Sequence, residues 1–139
     1  MDILNQSWAD PLASTKKFFS REILYRLSKL LSPSTYEIVL EGDLDLFNKT
    51  NDQPDIVIYQ RKQNFTPVIA IELSTKARFL DDSIKAMNQF NVYALKEFLI
   101  YNLDEDQWYS ISGKNTVFGK TDTSNVLQVP LGIYNSSIH

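Results

Sequence analysis

Pro54-Asp55-Ile56-Val57-Ile58-Tyr59 is followed, across the polar loop from Gln60 to Thr66, by Pro67-Val68-Ile69-Ala70-Ile71-Glu72-Leu73. Each apolar run is short, rich in β-branched residues and bounded by turn formers, which predicts two strands. Both runs are almost continuously apolar, so both faces of each strand are expected to be covered. The loop has hairpin length. If the strands pair about a centre near Gln63-Asn64, residue i faces residue 127 − i, and Asp55 lies opposite Glu72. Directly opposed side chains carry Cβ atoms about 4.5–5.5 Å apart, and like charges placed so destabilise a sheet. A divalent cation removes that penalty, and Mg²⁺ is commonly held by one or two carboxylates together with water and substrate phosphate. Glu72 also stands between Ile71 and Leu73 in a strand expected to be buried, where a free glutamate is rare. The ordinary alternative is a hairpin in another register, or an acid that ends its strand in water.

Outward from this hairpin, residues 1–13 contain Asp10-Pro11 and read as an irregular lead-in. Ser14 or Thr15 can cap a helix, with Phe19, Ile23, Leu27 and Leu30/Leu31 recurring at helical spacing until Pro33 stops it. Lys16, Lys17, Arg21, Arg26 and Lys29 fill its other positions and read as a solvated face. Residues 36–41 and 44–47 read as a strand pair around Gly42, and 48–54 as a turn-rich loop. Asp81 or Asp82 can cap a second helix, with Ile84, Met87, Asn91 and Ala94 along one side. Phe98-Leu99-Ile100-Tyr101 reads as a buried strand, Asp104-Glu105-Asp106 as a turn, Trp108-Tyr109-Ser110-Ile111 as a half-buried strand and Val126-Leu127-Gln128-Val129 as a last short one. The expected architecture is one α/β (α+β) domain over 1–139, a mixed β-sheet flanked by two helices, with 130–139 as a tail.

Composition narrows the chemistry. The 139 residues hold no cysteine, and the only histidine is His139. Thiol catalysis, a catalytic histidine and cysteine- or histidine-built metal centres are therefore set aside. Any metal site must use oxygen ligands, which points to a hard cation. Fourteen Lys+Arg against seventeen Asp+Glu leave a net charge of −3, which is not the footprint of nucleic-acid binding by bulk electrostatics. No apolar stretch reaches the roughly 18 residues of a membrane helix, and Met-Asp-Ile-Leu-Asn lacks the regions of a signal peptide. The chain is read as cytoplasmic, with no membrane partner.

Pro54-Asp55 opening one strand, followed by an acid that ends the next, resembles the Pro-Asp…(Asp/Glu)-x-Lys phosphodiesterase superfamily with its restriction-endonuclease-like fold. Within it, the chain is similar to the bacterial Uma group of restriction-endonuclease-like proteins. Its pattern is a Pro-Asp strand, a Glu-Val-x-Ser strand end, an Asp-x-x-x-Lys helix and Glu-Tyr-Trp-Leu-Val-Asp. Here stand Pro54-Asp55-Ile56-Val57-Ile58, Ile71-Glu72-Leu73-Ser74-Thr75, Asp81 with Lys85, and Glu97-Phe98-Leu99-Ile100-Tyr101-Asn102. The match runs over about residues 36–112.

The resemblance implies a Mg²⁺-dependent nuclease, with Mn²⁺ as a substitute ion and nucleic acid, DNA foremost, as substrate. Asp55 and Glu72 would hold the metal with the backbone carbonyl of Leu73, and Glu41 is a candidate for a further carboxylate. A lysine would steady the developing charge or position the water. Ser74 stands at the place of the superfamily lysine. Lys85, one turn into the second helix, is preferred as its substitute over Lys76 at the strand end, and either can instead be a solvated surface lysine. The second hypothesis is an inactive domain of the same fold that serves as a binding or assembly module. A third is a protein-interaction domain whose Tyr101, Trp108 and Tyr109 form an aromatic patch, although at strand spacing they read first as core. The resembled family and the 12% aromatic content together lead to the expectation of a homodimer.

Overall fold

The structure is a computed structural model and describes residues 11–45, 53–113 and 117–134. Helix α1 spans Pro11–Leu30, and strands β1 (Tyr36–Leu40), β2 (Ile56–Gln60) and β3 (Thr66–Ser74) follow. Helix α2 (Phe79–Val92) then leads to β4 (Glu97–Asn102), β5 (Gln107–Ser112) and β6 (Gly119–Thr121). The six strands form one mixed sheet in the order β1-β2-β3-β4-β5-β6. Every neighbouring pair is antiparallel except β3 and β4. That parallel pair needs a crossover, and α2 supplies it. The expected α+β architecture, a mixed sheet with two helices, is the one observed.

Period-two alternation divides the core into two layers. Ile56 and Ile58 of β2, Ile69, Ile71 and Leu73 of β3, and Leu99 and Tyr101 of β4 pack against Ile23 and Leu27 of α1. Val57, Tyr59, Ala70, Phe98 and Ile100 point the other way and meet Ala86 and Phe90 of α2. Covering both faces is what permits the near-continuous apolar runs of β2 and β3.

The hairpin register is the expected one where it matters. Ile56 pairs with Ile71, Val57 with Ala70 and Ile58 with Ile69. A bulge between Ile58 and Tyr59 then shifts the remaining pairs by one residue. It lies on the loop side, so the open end of the hairpin keeps the phase that sets Asp55 against Glu72. The loop is a short 3₁₀ turn, Arg61–Gln63, closed by Asn64 and Phe65 at positive φ.

Other elements differ from their sequence reading. Helix α1 begins at Pro11, a position that a helix start tolerates because the missing N–H has no partner there in any case. Residues 11–13 therefore belong to the helix, and the Thr15 hydroxyl donates to the Pro11 carbonyl instead of capping. Residues 1–10 lie outside the described residues. Strand β1 pairs with β2; of the expected strand 44–47, Leu44 and Asp45 lie in a loop, and the rest falls in 46–52, outside the described residues. Gly42 is held close to the sheet: a Cβ there would meet the Tyr59 hydroxyl at 2.8 Å and Val57 Cβ at 2.9 Å.

Helix α2 turns Asp82, Ala86, Gln89 and Phe90 inward. Ile84 and Asn91 are exposed, and so is Ala94 beyond the helix end. Of the expected face Met87 alone packs against the core, half-buried; the pattern misleads because two of the inward positions carry polar side chains. Tyr101 and Trp108 belong to the core and Tyr109 is half-buried, which removes the aromatic patch.

The last strand is β6, and 126–129 forms a turn instead. That turn is anchored by Glu97. Its buried carboxylate accepts from the hydroxyls of Ser110 (2.8 Å) and Ser124 (2.5 Å) and from the backbone N–H groups of Asn125 and Val126. Residues 130–134 are no free tail. Leu131 is buried, the Trp108 indole donates to the Gly132 carbonyl, and the Tyr134 N–H donates to the Tyr101 hydroxyl. Residues 135–139 lie outside the described residues.

The two-layer packing makes a direct prediction. Leu27→Ala opens a fully buried contact between α1 and the sheet and should lower the unfolding free energy by about 2–5 kcal/mol in urea titrations. Ile84→Ala, on the exposed face of α2, should stay within about 0.5 kcal/mol of the parent.

Candidate metal centre

The open end of the hairpin brings Asp55 and Glu72 together as the register requires. Asp55 sits just before β2, and Glu72 lies near the carboxyl end of β3. Each carboxylate caps the backbone beside the other. Asp55 Oδ2 accepts from the Leu73 N–H at 2.8 Å, and Glu72 Oε1 accepts from the Asp55 N–H at 3.2 Å. A strand residue sends its N–H and C=O toward the same neighbour, so the Leu73 carbonyl also turns to the Asp55 side.

The ammonium of this site comes from an unexpected place. Lys16 Nζ lies 3.2 Å from Asp55 Oδ2 and 3.5 Å from Glu72 Oε2. Contact of both acids with one ammonium keeps them well inside the diagonal-neighbour distance of about 7–8 Å. All three side chains are mostly withdrawn from solvent, at 23% exposure for Lys16, 16% for Asp55 and 15% for Glu72. Lys16 is therefore no part of a solvated face. Its position has a sequence signal: Lys16, Ser20, Ile23 and Leu27 follow at helical spacing, and the last three are the buried residues of α1. A lysine that continues an inward stripe points where the stripe points.

The electrostatics disfavour a second negative charge beside Asp55. The Glu72 carboxyl is pushed up to about 8, first by burial, then by the Asp55 charge and a hydrogen bond with the Asp55 carboxyl. Lys16 pulls it down and Asp82 adds to the rise. For Lys16, burial works against the charge, but the carboxylates of Glu72 and Asp55 outweigh it and raise its pKa. Burial and the Asp55 charge thus hold Glu72 toward its protonated form even with the ammonium in contact.

On the α2 side, Ser74 is buried and its hydroxyl donates to Asp82 Oδ2 at 2.7 Å, with the Arg78 guanidinium 4.0 Å from the other oxygen. The place of the superfamily lysine is therefore taken by a hydroxyl already engaged with a carboxylate. Lys85 is exposed and flanks a narrow crevice with Glu72 and Asp82. Lys76 is exposed in the turn after β3, where its backbone N–H donates to Asp104 at 2.7 Å. On the α1 side, Glu41 lies at positive φ in the turn after β1, and its N–H donates to the Asp55 carbonyl at 2.8 Å. Glu41, Asp55, Lys16, Lys17 and Arg21 line one cleft of about 390 Å³. Among the described residues, no three Asp, Glu or His side chains gather into one cluster. The donors that an ion here would find are two carboxylates and the Leu73 carbonyl. Oxygen donors only, few in number and open to a cleft, suit Mg²⁺, which keeps several of its own waters.

The raised Glu72 group gives stability a pH slope. Between about 4.5 and 8 the folded carboxyl keeps a proton that the unfolded chain has already released. The unfolded state then binds fewer protons, so the metal-free protein loses stability as pH rises through that window. Melting temperatures read from pH 5 to 8 without divalent ions should fall in the parent. In Glu72→Gln the fall should be largely absent, since that side chain does not titrate.

No family model matches the chain, and a comparison with curated proteins returns no match.

Proposed function

We propose that this chain hydrolyses phosphodiester bonds of nucleic acid with the help of Mg²⁺, in the manner of the Pro-Asp…(Asp/Glu)-x-Lys superfamily that it resembles. The observation that carries the reading is the pairing of Asp55 and Glu72 across the hairpin end around a single ammonium. Asp55, Glu72 and the Leu73 carbonyl would hold the ion. When bound, Mg²⁺ supplies Lewis-acid polarisation of a phosphoryl oxygen and lowers the pKa of a water.

The chain's own groups do the rest. Lys16 is placed to stabilise the negative charge that develops on the phosphoryl group. It fills the role that Ser74 cannot, from a helix instead of from the strand. Ser74 and Asp82 brace the end of β3 against α2. Lys85 and Lys76, the sequence candidates for the lysine, stand at the rim: Lys85 beside the Glu72 crevice and Lys76 in the turn beyond β3. Glu41, in the cleft, is in place to take a water of the ion's shell. DNA is the first substrate to test, with RNA beside it.

Labelled DNA and RNA oligonucleotides incubated with Mg²⁺ or Mn²⁺ should be cut, and EDTA should stop the cutting. Asp55→Asn and Glu72→Gln should abolish it. Lys16→Ala should lower the rate about 10²–10³-fold, while Lys85→Ala and Lys76→Ala should change it less than about tenfold. Mg²⁺ should also raise the melting temperature of the parent by ligand linkage. A strong loss in Lys85→Ala with Lys16→Ala active would return the lysine role to α2. Absence of cutting on every substrate would leave the inactive binding module.

A further inference from the structure

Charge is unevenly spread along this acidic chain. Helix α1 carries five of the fourteen Lys+Arg residues and one of the seventeen Asp+Glu, Glu22. Lys16 is spent on the carboxylates. Lys17, Arg21 and Lys29 are exposed and enter no ion pair among the described residues. A solvated helix face usually mixes both signs; this one is nearly all positive.

The same face carries aromatic rings. Phe18 and Tyr25 are 58% and 60% exposed. On a 3.6-residue helix, positions 17, 18, 21, 22, 25 and 29 fall on one side, with Glu22 the one acid among them, opposite the Ser20-Ile23-Leu27 stripe that meets the sheet. The Lys29 ammonium sits 4.1 Å above the Tyr25 ring. From Lys17 to Lys29 the strip runs roughly 18 Å, the span of a few nucleotides. It starts at the cleft, since Lys17 and Arg21 line it together with Asp55.

We propose that the outer face of α1 is a track for single-stranded nucleic acid, with Lys17, Arg21 and Lys29 on the phosphates and Phe18 and Tyr25 under the bases, leading the strand to the cleft that Asp55 lines. The proposal rests on the phosphodiester reading of that cleft. Exposed rings interleaved with cations bind unpaired bases, because a duplex hides the base faces within its stack. Charge decides against a second copy as the occupant: two such faces would bring two rows of cations together. An acidic protein segment would satisfy the cations but has no flat partner for the rings.

The test is fluorescence anisotropy in EDTA with labelled oligothymidylate and oligouridylate of about 12 nucleotides, a duplex of equal length and an oligoglutamate peptide. The single strands should bind at least about tenfold tighter than the duplex or the peptide. The stronger of the two names DNA or RNA as the source. Phe18→Ala and Tyr25→Ala should each weaken binding by about 5- to 100-fold with the salt slope kept. The double variant Lys17→Glu/Arg21→Glu should weaken it and flatten the slope. Thermal melts confirm that each variant is folded. Equal or tighter binding of duplex or oligoglutamate overturns the track, as does indifference to Phe18→Ala and Tyr25→Ala. A parent dimer that Phe18→Ala splits in sedimentation overturns it too. Strand binding without cutting in Mg²⁺ removes the hydrolytic reading and keeps the track. Cutting whose KM is unchanged in Lys17→Glu/Arg21→Glu removes the track and keeps the hydrolytic reading.

Discussion

Two carboxylates at the end of a buried hairpin must be compensated, and much of this molecule follows from that need. Asp55 and Glu72 meet because β2 and β3 share one phase from Ile58 to the open end. Neither strand can slip, since a one-residue shift would turn every core side chain to the wrong face. The same burial that pins the register withdraws the acids from water and drives Glu72 toward its protonated form. Positive charge has to arrive from outside the sheet. Lys16 delivers it from the first turns of α1, and the cleft beside it leaves room for a second cation.

The two helices play different parts around this point. α1 covers the Ile56/Ile71/Leu99 face and brings the ammonium, with Ile23 and Leu27 fixing how the helix lies. α2 covers the opposite face and secures the strand end through the Ser74–Asp82 hydrogen bond. The segment after β4 is drawn in by Glu97, a buried acid whose oxygens are satisfied by serine hydroxyls and backbone N–H groups. Two glutamates in one sheet thus meet different surroundings, Glu97 fully buried and Glu72 half-buried. Glu97 is held by neutral donors and is structural; Glu72 takes the Asp55 N–H and the Lys16 ammonium and borders a narrow crevice against α2.

The hairpin, its register and the acid pair were legible because continuous apolar runs and period-two alternation leave few alternatives. The bulge at Ile58/Tyr59 was not legible, yet it falls on the side where it does no harm to the register of the site. Lys16 was misread as part of a solvated face because a basic residue on a helix normally points to water; the Lys16-Ser20-Ile23-Leu27 spacing was the overlooked signal. The face of α2 was misread for the converse reason. Asp82 and Gln89 are polar yet inward, so hydrophobic periodicity followed Ile84, which is exposed. Strand β6 carries only Gly119-Lys120-Thr121 and offers no apolar run to read. Where an inward position carries a polar side chain, the pattern of hydrophobicity loses its meaning, and Lys16 and Asp82 both stand beside the site.

The central proposal is that Asp55 and Glu72 bind a hard divalent cation. Calorimetric titration of the metal-free protein with Mn²⁺ at neutral pH, in two buffers of different ionisation enthalpy, tests it most directly. The account predicts one ion per chain, release of a proton from the Asp55/Glu72 pair on uptake, and affinity at least about tenfold weaker in Asp55→Asn and Glu72→Gln. Lys16→Met, which removes the competing ammonium, should bind no more weakly than the parent. Absence of uptake at millimolar Mn²⁺, or uptake that ignores the loss of either acid, would contradict it.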